Sequence, residues 1–234
     1  MENRITVIVS SRSSSEEKKD FIDHVQKSCG VPIDMVFICN QGMPLSKVYH
    51  DYLDKATNKI VVLIHDDIEF LRDGWGLEVV RLFENNQDYG IIGVAGSAEF
   101  HEEAAWWRFK DIYGQVLHRN EGKSWLTAFS PLIEKDLEEV CVIDGLFMAV
   151  HKDRISKNFS EDLEGFNMYD VYFCLSNFLD GKTKIGVTTN IRLAHNSIGE
   201  LHENWYTNRD KINQEFGENY PIYVKKNGKG RSKK

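Results

Sequence analysis

The feature that most restricts the fold is an alternation, in the first half of the chain, between short continuously apolar runs and segments with helical spacing. Ile5-Thr6-Val7-Ile8-Val9-Ser10 is a β-branched run of the kind that forms a strand buried on both faces. Ser14 and Glu17 are spaced as a capping box, so a helix is predicted to run from there towards Ser28. Ile33 to Cys39 reads as a second strand, and Leu45, Val48, Tyr49, Tyr52, Leu53 and Ala56 then recur at helical spacing behind Pro44. Lys59 to Ile64 is a third strand, Gly76 to Glu84 a helix, and Gly90 to Ala95 a fourth strand. This order predicts an α/β fold with a central, mostly parallel sheet flanked by helices. Ligands of such sheets bind beyond the carboxyl ends of the strands, so chemistry-bearing residues are expected just after them.

From Ser97 to Val140 the alternation breaks, in a stretch that holds Trp106, Trp107 and Trp125 with His101 and His118. We read 97–140 as a lid or acceptor-side insertion, with Trp107 a candidate platform for the apolar face of a sugar. A local core beneath long loops is the competing reading. Cys141 to Val150 is strand-like, a helix is expected around Tyr169 to Leu179, and short strands near Lys184 to Val187 and Ile191 to His195 precede a polar helix from Leu201 to Phe216. One domain is expected over 1–222, followed by a basic tail over 223–234.

The 234 residues carry a net charge of −7, which argues against a nucleic-acid partner. No apolar stretch reaches the roughly 18 to 20 residues that span a bilayer, and the opening apolar run is too short for a signal peptide. A cytoplasmic location is therefore expected. The tail reads as a solvated segment or, alternatively, as a peripheral contact with the inner membrane face. Cys29, Cys39, Cys141 and Cys174 form no C-x-x-C pair and are expected to be reduced thiols that pack.

His65-Asp66-Asp67 stands at the exit of the third strand. Adjacent carboxylates and an imidazole are ligands for a divalent cation, although an Asp pair also caps turns. Ser10-Ser11-Arg12 follows the first strand and Asn40-Gln41-Gly42 the second, where a nucleotide would meet backbone and amide groups, with Ser10, Arg12, Asn40 and Gly42 the candidates. His195 ends its segment and is a candidate to complete the metal site from far along the chain. Asp144 has Gly145 beside it. Asp170, at the start of a helix, is a candidate general base, with a favourable helix-dipole position as the alternative.

Taken in order, these segments resemble the family 2 glycosyltransferases, and in particular a bacterial glycosyltransferase-like subgroup. The resemblance covers Ile5 to Gly199. It rests on Asn40-Gln41-Gly42, Leu45-Ser46-Lys47-Val48-Tyr49, Leu63-Ile64-His65-Asp66-Asp67-Ile68, Gly93-Val94-Ala95-Gly96, Trp106-Trp107, Asp144-Gly145-Leu146-Phe147, Gly165-Phe166-Asn167-Met168-Tyr169-Asp170-Val171 and His195-Asn196-Ser197-Ile198-Gly199. It implies a GT-A fold and a nucleotide-diphosphate sugar donor, a UDP-sugar first among them. It also implies Mn²⁺ or Mg²⁺ and a saccharide or lipid-linked saccharide acceptor, as in surface polysaccharide synthesis. By the same resemblance His65-Asp66-Asp67 occupies the D-x-D position, with Asp67 the principal metal ligand and Asp66 near the ribose or the ion. His195 matches a histidine that reaches the metal or diphosphate, Asp144 an acidic position near sugar and acceptor, and Asp170 the catalytic aspartate of the E-D motif.

The departures are His65 in place of the first aspartate, Tyr169 in place of the motif's glutamate, and the absence of a Q-x-x-R-W signature, which implies transfer of a single sugar. The expected reaction is an inverting displacement with Asp170 as base. Two rivals stand beside it. A nucleotidyltransferase would usually carry a glycine-rich basic loop after the first strand, which Ser10 to Ser15 lacks. A non-catalytic nucleotide- or carbohydrate-binding protein on the same fold would be consistent with His65.

Overall fold

The computed structural model describes residues 4–130, 134–197 and 203–225. Along the chain run β1 (Ile5–Ser11), α1 (Lys19–Cys29), β2 (Ile33–Cys39), α2 (Leu45–Lys55), β3 (Ile60–Ile64), β4 (Ile68–Phe70) and α3 (Trp75–Asn85). Then come β5 (Tyr89–Gly93), β6 (Ala95–Ser97), β7 (Glu99–Phe100), β8 (Ile112–Asn120), β9 (Lys123–Ala128), β10 (Glu138–Val140), β11 (Val142–Ile143) and β12 (Phe147–His151). The last elements are α4 (Tyr169–Leu179), β13 (Lys184–Val187), β14 (Leu193–His195), α5 (Glu203–Phe216) and β15 (Ile222–Tyr223).

The main sheet has 7 strands in the order β10-β13-β5-β12-β3-β1-β2. β1 is parallel to β2 and β3, β13 is parallel to β5, and β12 is inserted antiparallel between β3 and β5. β1, β2, β3, β5 and β13 therefore point one way, as the continuously apolar runs predict. Val7, Ile8 and Val9 of β1 and Val61 to Ile64 of β3 are wholly buried. Because β2 lies on one side of β1 and β3 on the other, right-handed crossovers put α1 and α2 on opposite faces.

The predicted capping box forms: Ser14 N donates to Glu17 Oε2 at 2.8 Å and Glu17 N to Ser14 Oγ at 3.3 Å. It closes an irregular turn, and regular helix begins only at Lys19. Cys29, Cys141 and Cys174 are buried thiols, but Cys39 is exposed, where it accepts from Gln41 Nε2 at 3.2 Å. Within 97–140 the structure builds the β8–β9 hairpin. β7 pairs with β15, and tail residues 226–234 lie outside the described residues. No helix among the described residues is long and apolar enough to cross a membrane.

A second sheet of 6 strands, β11-β6-β8-β14-β4 with β9 attached to β8, stands at the carboxyl end of the first. The chain steps directly from main to second sheet between β3 and β4, β5 and β6, β10 and β11, and β13 and β14, and steps directly back between β11 and β12. Two runs read from sequence as single strands are each divided by such a step: Gly90 to Ala95 at Val94, and Cys141 to Val150 at Asp144 to Leu146. The division needs close backbone approach. Gly114 holds φ +107° opposite Ala95, and a Cβ there would lie 2.0 Å from the Val94 carbonyl oxygen.

Gly114→Ala is accordingly expected to destabilise the protein by at least about 2 kcal/mol, since it combines a left-handed backbone with a backbone clash. A fall in the urea unfolding midpoint at unchanged slope would register it; an unaltered midpoint would show that the junction tolerates a side chain.

Candidate functional site

The residues singled out from sequence gather where the chain changes sheets. β3 delivers its exit residues to the β3–β4 step, and β14 then pairs with β4, His195 opposite Ile68. Asn196 N donates to the Asp67 carbonyl at 2.9 Å, locking this step against the end of β14. His65, Asp67 and His195 thereby offer ligand atoms that all lie within 4.8 Å of one another.

His195 Nε2 is 3.4 Å from Asp67 Oδ1, an ion-pair distance, and Oδ1 is buried without a hydrogen bond. Burial works against ionisation of Asp67, but the His195 ring beside it outweighs burial and holds the carboxyl well below the usual carboxylate range. Burial likewise works against a charge on His195, and the Asp67 carboxylate prevails and raises the ring above its ordinary value. His65 is pushed down, chiefly by burial. A buried carboxylate oxygen that the His195 ring approaches only to ion-pair distance, with His65 completing the cluster, is an arrangement that a divalent cation satisfies. The cluster fits such an ion, and its nitrogen-rich donor set departs from the all-oxygen sets that hold Mg²⁺.

Asp66, beside it, is tied elsewhere. It accepts from Ser11 Oγ at 2.5 Å, and Lys18 Nζ lies 3.1 Å from Oδ2 and 2.9 Å from its carbonyl oxygen. Ser11 stands in the segment that the sequence marks after the first strand, but Lys18 was not legible as a site residue, because nothing in sequence shows that the turn after β1 folds back over the β3–β4 step.

Two clefts meet at this cluster. A smaller one of about 230 Å³ is lined by Ser10, Ser11, Arg12, Asp66, Asp67 and His65. Asn40 does not line it. Its side chain is buried and spent on its own loop, donating to Met43 O at 2.9 Å and Ser10 Oγ at 3.2 Å and accepting from Gly42 N and Met43 N. Gly42 is exposed at φ +122° in the same turn, away from the cleft walls. The Asn40 side chain meets the cleft through its bond to Ser10, and Gly42 holds Asn40 through its N–H.

The larger cavity, about 540 Å³, has an aromatic wall of Trp106, Trp107, Trp205 and Phe129 and a polar floor of His65, His118, Asp144, Gly145, Asp170 and His195. Trp106 and Trp107 meet edge to face (ring centres 5.9 Å apart), which makes Trp107 one side of a packed apolar surface. Phe166 lines both clefts and carries the Arg12 guanidinium 4.9 Å above its ring. His118 enters from β8, where it stands in register with His195, stacked on Trp125.

Asp144 and Gly145 form the β11–β12 step. Asp144 Oδ1 accepts from Leu146 N at 2.9 Å, and Gly145 N donates to Asp170 Oδ2 at 2.8 Å. This last bond fastens the start of α4 to the step. Burial, reinforced by the negative charge of Asp144, pushes the Asp170 carboxyl up to about 7 despite its backbone hydrogen bonds. Asp170 Oδ1 also accepts from Val171 N at 2.9 Å, so the carboxyl is bonded to the first turn of α4 as the helix-start reading expects, while it lines the cavity as well. Tyr169, which the sequence marks only as a replacement for the motif's glutamate, reaches back to His65, its hydroxyl 2.9 Å from Nε2.

A model of a glycosyltransferase-like family matches residues 5–216. The chain belongs to that family. Among solved structures it is similar to a mannosyltransferase from Pyrobaculum calidifontis in complex with GDP-Man and Mn²⁺, at 11% identity and a TM-score of 0.54, over 94% of this chain and 64% of that one. It is also similar to GalNAc-T7 with UDP, GalNAc and Mn²⁺, at 10% identity and a TM-score of 0.56, over 92% of this chain and 48% of that one. A third is TarS of S. aureus in complex with UDP-GlcNAc, at 10% identity and a TM-score of 0.50, over 87% of this chain and 64% of that one. This glycosyltransferase-like chain thus spans about half to two thirds of the length of these structures, and what it shares with them is the GT-A fold. No protein of curated function is significantly similar to it in sequence.

The Asp144 charge contributes to the raised Asp170 value, so Asp144→Asn is expected to lower the Asp170 pKa from about 7. Titration of labelled Asp170 by carbon NMR would measure it; a value that stays put or rises would mean burial acts alone.

Proposed function

We propose that this chain transfers a single sugar, with inversion, from a nucleoside-diphosphate sugar to the hydroxyl of a saccharide or lipid-linked saccharide acceptor. The observation that carries the reading is the placement of a cluster of two imidazoles and a carboxylate, able to hold a divalent cation, between two clefts, with the half-buried Asp170 carboxyl, pushed up to about 7, in the floor of one of them. The small cleft suits a nucleotide: Ser10, Ser11 and the Arg12 guanidinium face it, and Asp66 is held rigid at its edge by Ser11 and Lys18. The large cavity suits sugars, whose apolar faces stack on the tryptophan wall.

Asp67, His195 and His65 would hold a divalent cation, Mn²⁺ in preference to Mg²⁺, and the ion when bound would supply positive charge to the departing diphosphate. Asp170 takes the proton from the acceptor hydroxyl. Its environment suits that task, because a base titrating near neutrality is partly ionised at working pH and still basic enough to accept. Asp144 keeps Asp170 in place through the Leu146–Gly145 turn and adds the charge that raises its pKa. His65 does not empty the site: it belongs to the cluster and stands half-buried in it, which supports a working transferase over a binding protein that has lost its ligands. The aromatic wall is closed on one side by Trp205 of α5, so acceptor choice depends on the carboxyl-terminal helix. A role in surface polysaccharide or glycoconjugate synthesis at the inner membrane face, aided by the basic tail, accords with a lipid-linked acceptor.

Two measurements test the reading. Thermal stability against UDP-, GDP-, CMP- and dTDP-sugars with Mn²⁺ is expected to rise for one nucleotide class, by about 2.7 kcal/mol at a hundredfold excess over Kd. Asp67→Ala removes the rise if the cluster holds the ion. With the donor so identified, Asp170→Asn is expected to lower turnover by about 10²- to 10⁴-fold while leaving donor binding intact. In the parent enzyme kcat/KM is expected to climb with pH through about 7, as the carboxyl loses its proton, and that limb should vanish in the variant. Near-normal turnover by Asp170→Asn would remove it from the reaction.

A further inference from the structure

The cluster gathers two imidazoles and one carboxylate, and one of the imidazoles has a dedicated partner. The geometry points to Tyr169 as the positioning residue of His65, one that selects its metal-binding tautomer and so sets which divalent cation the site prefers. This rests on the reading that the cluster holds a divalent cation.

A neutral imidazole coordinates through its unprotonated nitrogen, and the proton occupies the other. His65 Nε2 lies 2.9 Å from the Tyr169 hydroxyl, a group that can accept an N–H; in the inferred arrangement the ring donates Nε2–H to that oxygen. With Nε2–H engaged there, Nδ1 is left with its lone pair for the ion. A hydroxyl is an unusual partner to hold so firmly, and three contacts explain why it cannot swing away. The Tyr169 ring is buried and meets Tyr49 edge-on at 5.3 Å and Phe159 at 6.3 Å. On the other side lies Gly145, where a Cβ would stand 2.1 Å from the hydroxyl oxygen and 2.5 Å from the ring carbon that bears it. Gly145 has no left-handed φ. Its glycine is required by the space that the Tyr169 hydroxyl occupies, not by the turn it sits in.

The consequence is a site whose selectivity depends on a hydrogen bond outside the ligand set. Hard oxygen-seeking Mg²⁺ draws little from an imidazole, whereas Mn²⁺, Co²⁺ and Zn²⁺ draw more. Loosening His65 therefore penalises the second group and spares the first.

The test uses the full chain and metal ions alone, without nucleotide. Mn²⁺ binding is followed by loss of the free-ion electron paramagnetic resonance signal, and Mg²⁺ by competition against it. Tyr169→Phe keeps the ring and its packing and removes only the hydroxyl. It is expected to weaken Mn²⁺ binding by about 10- to 100-fold and Mg²⁺ binding by clearly less, so that the preference falls. Gly145→Ala, which displaces the hydroxyl without deleting it, should move the preference the same way. In a His65→Asp background, Tyr169→Phe should leave the preference unchanged. Equal losses for both ions, or an undiminished effect of Tyr169→Phe in the His65→Asp background, would overturn the assignment. Nitrogen NMR of histidine-labelled, metal-free protein supplies an independent readout: His65 is expected as the Nε2–H tautomer, and an Nδ1–H ring would also overturn it. Asp67→Ala separates the two levels of inference. If it leaves Mn²⁺ binding intact, the cluster is not the metal site; if it abolishes binding while Tyr169→Phe changes nothing, only the role of Tyr169 is lost.

Discussion

The site depends on the step between β3 and β4, where the chain leaves one sheet and enters another within a few residues. Backbone at such a junction cannot pair regularly with either sheet, yet it is buried, so its polar groups must find specific partners. Here they do: His65 N donates to Leu146 O at 3.1 Å and Asn196 N to Asp67 O at 2.9 Å. These bonds tie the β3–β4 step to the β11–β12 step and to the end of β14. Each partner segment also carries a reactive side chain, so the hydrogen bonds that make the junction stable are the ones that assemble His65, Asp67, Asp144 and His195.

Electrostatics divide the assembled groups into distinct roles. Asp67 faces His195 and stays ionised, whereas Asp170, half-buried near Asp144, holds its proton up to about neutral pH. Two aspartates reached by the same fold thus titrate in opposite directions from one ordinary value, which is how one pocket can hold a cation and also accept a proton. Asp66 is held apart from both by Ser11 and Lys18, although it is adjacent to Asp67 in sequence. Neighbouring carboxylates in a tight turn point different ways, and each meets a different partner.

Much of this was legible in the residues themselves. Strand runs and helical spacing located β1, β2, α2, β3 and α4 to within a residue or so, because uninterrupted apolar sequence in a sheet covered on both faces leaves few alternatives. His65, Asp67 and Asp170 stand at strand exits or helix starts, the places where such folds keep chemistry. The splitting of Gly90 to Ala95 and of Cys141 to Val150 was not legible. An apolar run looks the same whether it continues in one sheet or changes sheets midway, and only the close approaches at Gly93, Gly96 and Gly114 mark the change. Asn40 and Gly42 show the converse: their loop was rightly located, but Asn40 turns inward to support Ser10.

The sequence by itself determined that this is an α/β chain of glycosyltransferase-like pattern with acidic residues at strand exits, because periodicity and apolar run length are local properties of neighbouring residues. Only the tertiary structure decided which of those residues meet. His195 comes to Asp67 through the pairing of β14 with β4, Tyr169 comes to His65 because Gly145 leaves it room, and Asp170 becomes a near-neutral acid because it is half-buried near Asp144. Those are contacts between segments some 25 to 130 residues apart, and no local pattern encodes the burial or the charge that one segment presents to another.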